Sequence, residues 1–249
     1  MVEETQDERW ERLSQDRVDR PLPKRFYKLV SVGVDRDILL DGRVVKTPMK
    51  AKLVLPTQAL AEAVADEWRA QVDVINPALM PLTKLANTAI DRVALERPHI
   101  AGEVVAFAGN DLVCYRAETP PDLVALHALA WDPVLHWAQL HLNVAFKTTK
   151  GVIHVPQAAE ALRAVEHHVA GLDAYALTAV HNAMTLTGSA LLALMLHARA
   201  ISGEACWAAA HVDEDYQASQ WGEDFEAVAR RKHRKMEFDA TLRFLELCA

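Results

Sequence analysis

Short β-forming runs alternate with turn residues along the first part of the chain. Between the second and third runs, Asp41-Gly42 is typical of a hairpin, because glycine readily adopts a positive φ. Gly33-Val34-Asp35 separates the first run from the second. The pattern therefore predicts a small antiparallel sheet. Its four runs are FYKLVSV from Phe26, DILL from Asp37, RVVK from Arg43 and KLVL from Lys52.

Beyond Thr57 the apolar positions recur every three or four residues, which is the period of an amphipathic helix. Leu60, Val64 and Trp68 fall on one helical face, and Thr57 is the predicted N-cap of that helix. A second apolar stripe runs from Leu82 to Val93. Helices are predicted over residues 57–71, 81–94, 97–109, 122–142, 157–169, 173–184, 188–200, 203–220 and 223–246.

The predicted fold class is α+β, with a small N-terminal antiparallel β-rich domain, a covering helix and a larger, mainly α-helical domain. Residues 1–24 are charged and poor in apolar side chains, which favours a flexible arm. The β-rich domain is predicted for residues 25–80 and the helical domain for residues 81–249. Two short segments, Leu112–Arg116 and Val144–Val155, could be strands or extended connections.

Composition narrows the possible functions. The 34 acidic residues exceed the 27 Lys and Arg, and this net charge of −7 argues against a nucleic-acid partner. Cys114, Cys206 and Cys248 form no CxxC pair, so neither a disulfide framework nor a cysteine zinc site is predicted. The apolar run Leu186–Ala198 is too short to span a bilayer and is predicted to be a buried helix. The acidic first twenty residues resemble neither a secretory leader nor a transit peptide.

Motifs for catalysis or cofactor binding are not found in the sequence. It contains neither a GxxxxGK[ST] loop nor a GxGxxG after a strand, and no two histidines are spaced as a helical zinc pair requires. We therefore predict no cofactor, no metal and no catalytic residue. The alternative is a small soluble hydrolase-type enzyme that uses His127 or His136 with Asp132 in a cleft between the two domains.

Charge is unevenly distributed near the C-terminus. Acidic residues but no Lys or Arg lie between Glu204 and Glu226, and the basic run RRKHRK follows at Arg230–Lys235. One interpretation is a solvated helix face whose charges compensate one another. The other is a docking surface for a basic patch on a partner, because complementary charge speeds encounter and fixes orientation.

Five segments of the chain carry a resemblance to a known family. They are FYKLVSV at Phe26–Val32, LLDGRVVKTPMKAKLVLPT at Leu39–Thr57, DEWRAQ at Asp66–Gln71, MPLTKLANTAIDRV at Met80–Val93 and YQASQWGE at Tyr216–Glu223. These segments resemble the assembly chaperone of the F-type ATP synthase that binds its unassembled alpha subunit. The resemblance covers most of the chain from about Phe26 onward.

The resemblance implies which residues bind the partner. An acidic position in the C-terminal segment is implicated in chaperone function in this family, and Glu214 is the best match, with Asp213 and Asp215 as neighbouring alternatives. Gln217 is included with them as partner-binding. Trp68 and Trp221 are expected to support this region structurally, and Trp68 is expected to approach the segment from Asp213 to Trp221.

The resemblance also implies a function that involves no catalysis. Such a protein holds the free alpha subunit without using ATP and prevents its aggregation until it assembles with beta. It is monomeric when free, does not insert stably into a membrane, and works in the cytoplasm if bacterial or in the mitochondrial matrix in organellar relatives. An obligate oligomeric scaffold is a third possibility, which light scattering would reveal.

Overall fold

A three-stranded antiparallel sheet lies near the start of residues 21–248, the part of the chain that this computed structural model describes. Most of the arm predicted at residues 1–24 therefore lies outside the described residues. Asp41 and Gly42 both have positive φ, 48° and 77°, as a two-residue hairpin turn requires. The predicted run from Lys52 contributes isolated bridges, Lys46 to Lys52 and Asp37 to Val54, instead of a regular strand. The strands are β1 Val30–Val32, β2 Ile38–Leu40 and β3 Arg43–Val44.

Helices make up most of the rest of the described chain and confirm the α+β fold class. None of those between residues 21 and 248 is long and apolar enough to cross a membrane. The α-helices are α1 Gln58–Arg69, α2 Pro81–Thr88, α3 Ala94–Ala108, α4 Pro121–His141, α5 Ala159–Ala170, α6 Ala174–Thr187, α7 Ala190–His197, α8 Gly203–Ala210, α9 Val212–Trp221 and α10 Phe225–Leu247.

Three short helical turns and two short strands complete the described elements. Of the two segments that could be strands or connections, the first forms a 3-10 turn and then pairs in parallel with the second through two residues on each side. A π-helical segment joins α2 to α3. These elements are the 3-10 turns Pro77–Leu79 and Leu112–Cys114, the π segment Ala89–Val93, and the strands β4 Tyr115–Arg116 and β5 Thr149–Lys150.

Two of the three apolar clusters contain most of the core of the described residues. The larger one lies among the helices and includes Trp131, Leu191 and Phe238. The smaller one lies between the sheet and α1, where Leu53 and Leu60 are fully buried. Ala179 of α6 and Phe244 of α10 belong to the smaller cluster, so helices from the C-terminal part of the chain complete the core beneath the N-terminal sheet.

Polar side chains fix where α1 and α2 begin. The Thr57 hydroxyl accepts the Leu60 N–H at 3.1 Å, as the N-cap prediction requires, and donates to the backbone carbonyl of Leu247 at the end of α10. The Glu67 carboxylate accepts the N–H groups of Leu82 and Thr83 at 2.7 and 2.8 Å. Burial raises the pKa of Glu67, while these donors oppose the shift. Both side chains connect segments that are distant in sequence.

The predicted helix over residues 203–220 is interrupted at His211. This residue leaves the helical region with φ −124° and ψ 24°, which ends α8 and starts α9 on a new axis. Its Nδ1 atom lies 2.8 Å from the Trp207 carbonyl oxygen, and its ring lies 3.9 Å from the Trp207 ring. The break places α9 on the surface, between α4 and α10.

Candidate functional site

Helix α9 carries the acidic residues that the sequence singles out for partner binding. On one side it contacts α4, where the Tyr216 hydroxyl donates to the Asp122 carboxylate at 3.1 Å. On the other side it faces α10 across an open groove of about 750 Å³. The predicted residues on this helix therefore divide according to the neighbour that each one faces.

Asp213 is bound to a buried histidine. Its carboxylate lies 2.8 Å from His127 Nε2, and His127 is only 3 % exposed. The Ala117 N–H donates to His127 Nδ1 at 3.1 Å, which assigns the ring proton to Nε2 and makes Asp213 the acceptor. Trp131 stacks on the histidine ring at 3.9 Å. Asp213 thus satisfies a buried donor within the protein itself.

Asp215 is also engaged inside the protein. Its carboxylate forms an ion pair with the Arg231 guanidinium of α10. This hydrogen bond, the largest cause, raises the pKa of Arg231. A second arginine of the same helix, Arg234, donates to the Leu186 carbonyl at 2.5 Å and ties α10 to the end of α6. Asp215 therefore helps to hold α9 beside α10.

Glu214 and Gln217 present their side chains to the groove. Both are exposed, and both line the space between α9 and α10. Within residues 21–248 neither side chain has a hydrogen bond or an ion pair. Of the four residues predicted to bind a partner, these two make no hydrogen bond or ion pair within the described fold, although, beside the Asp215 hydrogen bond, the Glu214 charge helps to raise the pKa of Arg231.

Trp221, which is expected to support the partner-binding region structurally, lies at the surface. It is 79 % exposed. Helix α9 ends here, and the next residue, Gly222, has φ +86°, a left-handed conformation that suits glycine and turns the chain toward α10. The ring remains in solvent at the turn and lines the groove together with Glu214.

Trp68 packs beneath the N-terminal sheet. Its ring lies 5.8 Å from the Tyr27 ring, and the Tyr27 hydroxyl donates to the Trp68 carbonyl at 2.7 Å. Val30 and Val45 share this cluster. The neighbours of α9 are α4 and α10, so Trp68 and α9 lie in different surroundings, and the expected approach between them is not seen in the described contacts.

The alternative catalytic pair is not assembled. His127 is buried and bound to Asp213, whereas Asp132 forms an ion pair with Arg116 at 2.8 Å. His136 is exposed, and no hydrogen bond joins it to Asp132 within the described chain. No group of three or more metal-ligating side chains is found among residues 21–248.

The two buried cysteines are poor candidates for nucleophiles. Burial raises the pKa of both Cys114 and Cys206 to about 12. The reactive form of cysteine is the thiolate, which is scarce at neutral pH when the pKa lies that high. Neither side chain lies at the surface.

Sequence analysis did not find the pairing of His127 with Asp213. The two residues are 86 positions apart, and no local spacing relates them. Two sequence features bear on this pair, the many histidines on the predicted helices and the acidic segment. Neither feature indicates which histidine contacts which acid. Only the tertiary packing of α4 against α9 brings them together.

Comparison with known proteins gives a consistent result. The family model described as ATP12 chaperone protein matches residues 24–139. The crystal structure of Atp12 from Paracoccus denitrificans is 39 % identical, with a TM-score of 0.87, and the match covers 91 % of this chain and 99 % of that one. A mutant of Atp12p from the same organism has the same identity and TM-score, and the match covers 98 % of its chain.

A third solved structure extends the comparison to another organism. It is a candidate chaperone from Agrobacterium tumefaciens, 44 % identical, with a TM-score of 0.86; the match covers 94 % of this chain and 89 % of that one. Identity at this level over nearly whole chains shows common ancestry as well as a common fold. The chain therefore belongs to the ATP12 chaperone family, the ATP synthase assembly chaperones that its sequence resembles.

Proposed function

We propose that this protein binds the free alpha subunit of the F-type ATP synthase, without using ATP, and keeps it from aggregating until it assembles with beta. Free alpha would expose an apolar interface that beta normally covers, and such patches promote aggregation. A binder that covers this patch and is then displaced by beta needs only the right order of affinities and no chemical step. Membership in the ATP12 family supports the proposal.

The candidate binding site for alpha is the exposed face of α9. Glu214 and Gln217 have no polar partner within the described residues, so a client can use both without breaking a bond in the fold. A carboxylate placed at a groove favours a basic patch on the client, because opposite charges raise the rate of encounter and fix orientation. Asp213 and Asp215 would then position α9 from inside.

Co-expression with separate alpha and beta subunits tests the client. Tagged protein should capture alpha and leave beta, with or without added nucleotide. Capture of neither subunit, when both are folded in the same lysate, would contradict the proposal. Capture that requires ATP would contradict the proposed ATP independence.

Light scattering of the purified protein should give the mass of a monomer, and a stable oligomer would favour the scaffold alternative.

Glu214→Lys tests the site. We expect the charge reversal to weaken alpha binding roughly tenfold, because it places a positive charge against a basic client surface. The free energy of unfolding should change by less than about 0.5 kcal/mol, because the Glu214 side chain is exposed and has no bond to lose within the described fold. Titration of alpha and thermal unfolding measure the two effects.

Glu166→Lys is the matched control. Glu166 is an exposed acid on α5, away from the groove, so its reversal makes the same change in net charge. Normal binding by this variant and weak binding by Glu214→Lys would assign the effect to the α9 face. Equal loss in both variants would show that net charge matters and that this face has no special role. Unfolding of Glu214→Lys would remove support for a docking role.

A further inference from the structure

The turn between α9 and α10 is exposed along its whole length. Residues 219–230 all lie in solvent, and three of them are large and apolar: Trp221 is 79 % exposed, Phe225 94 % and Val228 42 %. The distal part of α10 is anchored instead, with Phe238 and Phe244 fully buried. We call residues 219–230 the helical tip.

Such a concentration of aromatic surface is unusual for a part of a protein that stays in water. Single exposed apolar residues are normal, but here a tryptophan and a phenylalanine four positions apart are both exposed at one turn of the chain. Aromatic rings bury a large area when they are covered, and tryptophan is enriched among the residues that dominate binding energy. The helical tip therefore has the composition of an interface anchor.

Charge flanks the apolar surface differently on its two sides. The α9 side and the turn contribute Glu214 and Glu223 to the groove, whereas α10 contributes Arg230 and Lys232. Val228 is among the apolar side chains between them. A partner that fits this arrangement has an apolar stripe with basic side chains along one edge and acidic side chains along the other. An amphipathic helix, about 10–12 Å in diameter, presents such a pattern.

We propose that the helical tip and its groove bind an amphipathic helix of the client, with Trp221 and Phe225 as the apolar anchors. The basic edge of that helix faces α9, and its acidic edge faces Arg230 and Lys232 of α10. This inference rests on the proposed function and gives its site a partner chemistry. Trp221 lines the same groove as Glu214 and Gln217, and Phe225 follows at the start of α10, so the anchors adjoin the face already proposed to meet the client.

The double variant Trp221→Ser/Phe225→Ser tests the anchors. Binding of alpha should weaken roughly tenfold or more, as expected for loss of anchoring aromatics. Thermal unfolding should stay unchanged, because both rings are largely in solvent. In the wild-type protein, Trp221 fluorescence should shift to shorter wavelength when alpha is added, and the Trp221→Phe protein should lack that part of the shift.

Met49→Ser is the matched control, because Met49 is 69 % exposed and lies in the N-terminal region, away from the helical tip. It should bind alpha normally. Normal binding by the double variant, while Glu214→Lys binds weakly, would overturn the anchor role and leave the proposed function intact. Capture of no alpha by the wild type would overturn the proposed function itself. A dimer of the wild type that the double variant abolishes would identify a second copy as the occupant and contradict the client helix.

Discussion

Asp111 is a fully buried carboxyl group that joins two distant parts of the helical core. One carboxylate oxygen accepts the Leu191 N–H at 2.9 Å in the first turn of α7, and the other accepts the Val113 N–H at 3.2 Å. Burial raises its pKa to about 6, although these donors favour the charged form. The cost of removing the charge from water outweighs the hydrogen bonds that it receives.

This raised pKa predicts a pH dependence of stability. In the unfolded chain an aspartate has a pKa near 3.8. Between pH 3.8 and about pH 6, the Asp111 carboxyl is therefore protonated in the folded state and ionised in the unfolded state. The stabilisation is complete below the unfolded pKa and is lost as the pH rises through the folded one. Relative to Asp111→Asn, the wild type should lose on the order of 2–3 kcal/mol between about pH 4 and pH 6.

Urea unfolding of both proteins across this pH range measures the difference. A difference that stays constant with pH, or that grows in favour of the wild type as the pH rises, would show that the carboxyl group is not destabilised by burial. Asparagine does not titrate, so the pH dependence of Asp111→Asn shows the contribution of all other groups, and subtracting it isolates that of Asp111.

Residue chemistry alone indicated the acidic segment but could not rank the acids within it; the preference for Glu214 over Asp213 and Asp215 came from the family resemblance. Asp213, Glu214 and Asp215 are adjacent and chemically alike, yet two of them are bound to other elements of the protein. Their partners, His127 and Arg231, are brought to α9 by tertiary packing, which local sequence does not encode. Glu214 stands apart because its side chain faces the groove.

At the scale of elements, Thr57 connects the first helix to the last. Thr57→Ala removes both the acceptor for the Leu60 N–H and the donor to the Leu247 carbonyl, so it should cost about 1–2 kcal/mol. Thr57→Ser keeps the hydroxyl and should retain most of the stability. Chemical unfolding compares the three proteins, and equal loss in both variants would assign the effect to the methyl group.

Periodicity predicted most of the helices, because apolar stripes recur wherever a helix covers a core. It failed at His211, where the predicted helix continues but the backbone leaves the helical region. The polar contact of His211 with Trp207 and the packing of its ring favour the break. Trp221 was expected to support the partner-binding region structurally, but it is 79 % exposed at the end of α9, where Gly222 turns the chain.

At the scale of the molecule, the sheet and the helices share one cluster. Leu60 beneath the sheet, Ala179 of α6 and Phe244 of α10 belong to the same buried set. We therefore expect the β-rich region of residues 25–80 and the helical region to unfold together. Hydrogen exchange of Val45, whose N–H donates to the Ile38 carbonyl, should report the same denaturant midpoint as helix signals.

Phe244→Ala tests whether the sheet and the helices unfold together. Loss of this fully buried ring should cost about 3–5 kcal/mol and lower the sheet and helix midpoints by the same amount. Two separate midpoints, with only the sheet affected, would show instead that the two regions are independent folding units.

The final helix has two ends under different constraints. Around Phe238, Thr241 and Phe244, α10 is buried, and any change of volume or polarity there disturbs the core. Around Phe225 and Val228 it is exposed, and substitution of these side chains is expected to change the free energy of unfolding little. Among diverging relatives, substitutions near the buried end should be limited by folding, whereas those near the exposed end should be limited only by the partner. Under the proposed binding of a client helix, that first part of α10 is expected to change together with the client while the fold stays the same.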